Sequence, residues 1–246
     1  MTRLWDSVRL WCFPYAGAGA SLYHGWKSRL APFVEVRGVE LPGRGARFPE
    51  PPLTRLPPLV RLLADELEPH LAVPYAFYGH SVGGLLAFEL ARELRRRERP
   101  QPAHLFVAGC RPPDDRGAPT SLHRLSDPEF VDVVRRFGAM PSEVLEDDEL
   151  LACVIGALRA DFEVAEMYEY RDEPPLGCGI SVLWGQDDDS AVDLPGWRRQ
   201  TQGPFSIRLL RGGHLFLYSS LDSVLAAVER DLAAYPETAT SRLATG

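Results

Sequence analysis

The stretch Gly79-His80-Ser81-Val82-Gly83 constrains this chain more than any other. Before it, Pro74-Tyr-Ala-Phe-Tyr78 is aromatic and apolar and reads as a buried strand. After it, Leu85 to Arg97 reads as a helix, with Leu86, Leu90 and Leu94 on one face. A G-x-S-x-G between a strand and a helix requires a sharp turn. Only glycine fits beside the serine in such a turn, and the hydroxyl is lifted above the sheet edge. The helix N-terminus behind it favours negative charge that develops there.

A turn of this kind is the nucleophile elbow of the α/β-hydrolase fold, in which an acid and then a histidine come after the serine along the chain. His104 and His123 both lie beyond Ser81, but neither has a suitable acid between it and the elbow strand. His214 does. It sits in Arg211-Gly-Gly-His214, directly after the strand-like Phe205–Leu210. Upstream, Ile180-Ser-Val-Leu-Trp184 reads as another strand and runs into Gly185-Gln-Asp187-Asp188-Asp189. Active sites of parallel α/β sheets collect at such strand ends. The expected catalytic set is Ser81, Asp188 and His214. Asp187 and Asp189 stay open as the acid, because one register slip changes which carboxylate faces the imidazole. Taken alone, each feature is an ordinary loop or turn. In this order, each at a strand end, they specify a serine hydrolase. His80 is expected to point to the other side of the strand end, in a structural role.

The totals fit one α/β domain over residues 1–246. Composition is globular, with 45% apolar and 25% charged residues and no low-complexity tract. No apolar run reaches the ~18 residues of a membrane span, and the N-terminus lacks a signal-peptide core. A cytoplasmic, monomeric protein is expected. Cys12, Cys110, Cys153 and Cys178 lack metal-ligand spacing and read as reduced, mostly buried thiols. A net charge of −7 argues against nucleic acid and anionic membrane as partners.

Strand and helix signals alternate, giving a mostly parallel sheet with helices on both faces. Strands are expected at Val8–Phe13, Val34–Leu41, the elbow segment, His104–Gly109, Ile180–Trp184 and Phe205–Leu210; helices are expected around Leu22–Leu30 and over Leu56–Leu71. Between about residues 111 and 177 no strand signal intervenes. Ser126-Asp-Pro-Glu129 is a capping box opening a helix to about Phe137, and Glu146–Tyr168 carries a longer helical pattern. This insert is expected to be a helical lid, with ordinary crossover helices as the alternative. The tail after Pro236 reads as frayed. Tyr15-Ala-Gly-Ala-Gly19 lacks the third glycine of a dinucleotide loop. It is read instead as a donor loop, with the N–H groups of Ala16 and Val82 forming the oxyanion hole. Arg44, Arg47, Arg198 and Arg199 are expected to form a basic docking patch, and Arg95, Arg96 and Arg97 a solvated helix end.

The chain resembles the type II thioesterases of nonribosomal-peptide and polyketide pathways over nearly its whole length. The resemblance rests on Cys12-Phe-Pro-Tyr-Ala-Gly17, Leu41-Pro-Gly-Arg-Gly45, Gly79-His-Ser-Val-Gly-Gly84, Leu158-Arg-Ala-Asp-Phe162, Trp197-Arg-Arg, Gly203-Pro-Phe205 and Gly212-Gly-His-Leu-Phe216. It implies the α/β-hydrolase fold, a triad on Ser81, Asp188 and His214, and lid helices in the insert. It further implies acyl or peptidyl carrier proteins as partners, an acyl thioester on their phosphopantetheine arm as substrate, and no metal or bound cofactor. Tyr15 and Val82 depart from residues common in the family and are expected to alter the acyl entrance. A general carboxylesterase, an acyltransferase or cyclase on the same triad, and a non-catalytic carrier-protein binder are the competing readings.

Overall fold

The apolar runs pair into a six-stranded sheet of order β2-β1-β3-β4-β5-β6. The computed structural model describes residues 7–115, 121–136, 142–188 and 192–234. The strands are β1 (Val8–Phe13), β2 (Val34–Gly38), β3 (Tyr75–His80), β4 (His104–Ala108), β5 (Gly179–Gly185) and β6 (Phe205–Leu210). Every pairing is parallel. All C-terminal ends therefore lie along one edge of the fold. Strands β3, β4 and β5 are buried throughout, as parallel strands covered on both faces must be.

Period-two alternation divides the side chains between two cores. Tyr75 and Phe77 pack with α1 (Leu56–Leu67) and α2 (Val82–Arg96). Ala76 and Tyr78 pack on the opposite face with Tyr23, Trp26 and α7 (Leu221–Ala233). The short helix expected around Leu22–Leu30 is a 3-10 helix over Ala20–Trp26. Tyr23 and Trp26 lie three apart, so a threefold repeat stacks both into the core. Between β4 and β5, the described residues hold α3 (Asp127–Arg136), α4 (Ser142–Leu145) and α5 (Asp148–Glu166), and no strand. Of the expected capping box, the Glu129 half forms: its Oε2 accepts from Ser126 N–H at 3.1 Å and from Ser126 Oγ at 2.6 Å. Phe130, Val134, Leu145, Leu158 and Val164 carry this insert onto the α1–α2 core. The tail after Pro236 lies outside the described residues. Helix α6 (Phe216–Ser219) comes after β6. No helix among the described residues is long and apolar enough to cross a membrane.

Candidate active site

Strand β3 delivers Ser81 to the C-terminal edge of the sheet. The serine takes φ 56° and ψ −123°, a region an L-residue rarely occupies and one that costs on the order of 1–3 kcal/mol. Its neighbours explain why the turn needs glycine. A Cβ on Gly79 would come within 2.1 Å of the Gly83 carbonyl oxygen, and one on Gly83 within 2.3 Å of the Phe13 carbonyl oxygen. The strain is held by Ser81 N–H, which donates to Ala108 O at 2.8 Å, and by Gly84 N–H, which donates to Ser81 O at 2.8 Å. Val82 is the first residue of α2, so its N–H has no intrahelical acceptor. Among the described residues, nothing accepts from the N–H of Val82 or Ala16.

His214 lies just beyond β6. Its Nδ1 lies 3.1 Å from Asp188 Oδ2, the geometry of an N–H donating to a carboxylate. The Asp188 side chain is only 8% exposed and that of His214 is 26% exposed, so the acid is shielded while the imidazole stays accessible. The neighbouring Asp187 does other work: its Oδ2 accepts from Gly212 N–H at 3.2 Å and braces the loop that carries the histidine. Asp189 lies outside the described residues. An imidazole held by a carboxylate through Nδ1 presents Nε2 as a base, so the arrangement can deprotonate a nearby hydroxyl.

His80 is fully buried and ties the elbow to the histidine loop. Its Nε2 donates to the His214 carbonyl at 2.8 Å, and the two rings stand 5.5 Å apart in an edge-to-face pair. The expected structural role therefore includes positioning His214. Burial, with the neighbouring His214, pushes His80 down to about 3; burial pushes the core residue His104 down to about 4. An unfolded chain binds protons on both below pH ~6.5, whereas the folded chain does not. Stability should thus fall as pH drops from 7 to 5, by about 2 kcal/mol for each histidine. Urea melts at the two pH values check this. His104→Asn should remove its share of the fall, and an unchanged fall in that variant counts against the account.

A second serine–histidine–aspartate cluster lies elsewhere in the fold. His104 Nε2 is 2.8 Å from Ser181 Oγ, which donates to Asp231 Oδ2 at 2.6 Å. Arg208 takes the same carboxylate in a two-pronged pair. His104 opens β4 and Ser181 lies inside β5, four residues short of its C-terminal end, and both are buried. This serine gives its proton to a carboxylate already neutralised by arginine, so the cluster is a structural polar network.

The four arginines expected to form a basic patch do not stand as free cations together, because three of them hold carboxylates. Arg44 is buried, and its guanidinium is forked onto Asp161 at 2.5 and 2.8 Å. Arg47 pairs with Glu50 and Glu66, and Arg199 with Asp114 and Asp193. Arg198 donates to the Thr201 carbonyl at 2.7 Å, and Thr201 in turn bonds Cys178 beside the start of β5, away from the site. Nor is the Arg95–Arg97 cluster merely solvated: Arg95 and Arg96 pair with Glu173, and Arg97 with Asp65 and Glu93. Such pairs form because this acidic chain offers more carboxylates than cations. Sequence reading also missed two contacts at the site. One is the Arg44–Asp161 pair. The other is the 2.7 Å hydrogen bond between the hydroxyls of Tyr15 and the exposed Tyr218.

Residues 8–232 match the family model described as the thioesterase domain. The protein named linear gramicidin dehydrogenase LgrE, from Brevibacillus parabrevis, is 39% identical over 233 residues, spanning 93% of this chain and 89% of that one. The solved structure of RedJ, a thioesterase of the prodiginine biosynthetic pathway in Streptomyces coelicolor, superposes with a TM-score of 0.86 at 40% identity, covering 91% of this chain and 85% of that one. BorB, a type II thioesterase from the borrelidin biosynthetic cluster, superposes at 0.85 with 34% identity, covering 94% of this chain and 95% of that one. The first relative is named for another activity. The family model and both structures are thioesterases, and the loop after β1 lacks a dinucleotide fingerprint.

Proposed function

The chain belongs to the thioesterase family, in its type II branch, and from that premise we propose that it removes acyl or aminoacyl groups from the phosphopantetheine arm of carrier proteins. The effect is to edit stalled or misprimed nonribosomal-peptide and polyketide assembly lines. It is a thioester hydrolase. The observation that carries the reading to residues is the Asp188–His214 hydrogen bond of 3.1 Å, on a histidine whose carbonyl accepts from His80, the residue before the elbow serine.

In the proposed route, His214 Nε2 takes the proton of Ser81 as Oγ attacks the thioester carbonyl. The N–H groups of Val82 and Ala16 bind the developing oxyanion. The C–S bond breaks, and the protonated His214 gives its proton to the leaving thiolate. Water, deprotonated by the same imidazole, then opens the acyl-serine and releases the acid. The route draws on no metal or bound cofactor. Asp188 keeps Nδ1 protonated and stabilises the imidazolium. Helices α3, α4 and α5 serve as the lid over the acyl pocket, and the enzyme acts as a cytoplasmic monomer.

Binding energy from the carrier and its arm can be used in the transition state only by the true substrate. The value of kcat/KM for an acyl-carrier protein should therefore exceed that for the p-nitrophenyl ester of the same acid by roughly tenfold or more. Parallel steady-state assays test this. Equal or better turnover of the simple ester would make the protein a general esterase.

A further inference from the structure

Two loops and a helix, remote from one another in sequence, meet around one buried ion pair. Asp161, on α5, receives two guanidinium nitrogens of Arg44, from the loop after β2, and the side chains are 4% and 7% exposed. Two further hydrogen bonds tie this pair to the loop after β1. Asp161 Oδ2 also accepts from Gly17 N–H at 2.8 Å, and Arg44 Nη1 donates to the Ala18 carbonyl at 3.2 Å. The loop itself closes as a tight turn, with Ala18 N–H donating to Tyr15 O at 3.1 Å and Gly17 at φ 79°. Both ends of the Gly17–Ala18 unit are thus held. The Ala16 N–H, one residue before, is left without a protein acceptor among the described residues. The chain just before this turn lies against the elbow, since the Phe13 and Pro14 carbonyls come within 2.3 and 2.5 Å of where a Gly83 Cβ would sit.

The geometry points to Arg44 and Asp161 as positioning residues that lock the Tyr15–Ala18 loop so that the Ala16 N–H is presented to the oxyanion, and that tie this donor to α5. The inference rests on the proposed oxyanion role of Ala16. It assigns no contact with substrate to either side chain. A donor fixed before reaction stabilises charge without reorganising, so loosening it should slow the chemical step and leave ground-state binding alone. Because Asp161 belongs to α5, a shift of that helix would carry the Gly17 bond with it. Lid position and donor geometry are then one coupled state.

The test is a series of variants assayed with an acyl-N-acetylcysteamine thioester. Asp161→Asn turns an amide NH₂ toward at least one of the three N–H donors that the carboxylate accepts from. Arg44→Lys keeps the charge and loses the fork. The double variant Arg44→Met/Asp161→Leu removes the buried charges together, an exchange that is often neutral or stabilising for a fold. The double variant is expected to melt near the wild type, keep its KM, and lose about 10- to 100-fold in kcat. Its affinity for a trifluoromethyl ketone thioether, which forms a tetrahedral anion on the serine, should fall by the same factor. Arg44→Lys should fold and show a smaller loss of the same kind. A folded double or lysine variant with wild-type kcat overturns the inference, as does a loss confined to KM. Peptide mapping of the wild type after fluorophosphonate labelling separates this failure from failure of the site: a label on Ser81 with unimpaired variants sinks only the clamp, whereas a label elsewhere sinks the site.

Discussion

Ser81→Ala should remain folded and lose about 10⁴- to 10⁶-fold in kcat, the scale seen when a serine nucleophile is removed from such a site. Among the described residues, no other hydroxyl is presented at the C-terminal edge with glycines on both sides. Ser181, the serine bonded to His104, is buried inside β5 and gives its proton to Asp231. The strained turn adds a second readout. Ser81 is held at φ 56°, where glycine pays no steric penalty. Ser81→Gly should therefore be as inactive as the alanine variant and unfold at higher temperature, by about 1 kcal/mol of added stability. Thermal melts beside steady-state assays check both. A serine kept in a costly conformation whose removal stabilises the fold is there for chemistry. Appreciable turnover by either variant would take the nucleophile away from Ser81.

Asp188→Asn should lower kcat by up to ~10⁴-fold with little change in KM. The amide can offer its NH₂ to Nδ1 and so favour the wrong tautomer, and it cannot stabilise the imidazolium that forms when Ser81 is deprotonated. Asp187→Asn makes the informative contrast. Asp187 accepts only from the Gly212 backbone among the described residues, and an amide oxygen can do the same, so its loss should stay within a few-fold. Kinetics of the two variants on one thioester decide between the neighbouring acids. A large loss at Asp187 with a small one at Asp188 would reassign the acid.

Local signals made the elbow, the strand ends and the late histidine legible. Apolar runs bounded by glycines mark buried parallel strands, and in such a sheet the loops leaving the strands' C-terminal ends must gather at one edge. The order of Ser81, Asp188 and His214 along the chain could thus be read before their geometry was known. Arg44 could not be read this way. Its partner lies 117 residues away, and nothing in the local composition separates an arginine that docks a carrier from one that is buried in a loop. The clue was present but not used: Arg44 and Asp161 each sit inside a short signature, Leu41–Gly45 and Leu158–Phe162. The period of the helix at Ala20–Trp26 was not legible for a related reason, since a short apolar stretch with Tyr23 and Trp26 three apart fits either helix period.

The central claim is that an acyl thioester passes through Ser81 on its way to the free acid. Intact-mass spectrometry of an acyl-loaded carrier protein incubated with the enzyme tests it most directly, with peptide mapping of the enzyme from a quenched early time point. The account predicts that the carrier loses the mass of its acyl group and keeps a free phosphopantetheine thiol, while the enzyme carries a transient acyl adduct on Ser81 alone. A carrier that keeps its acyl group, or an adduct on any other residue, would contradict it.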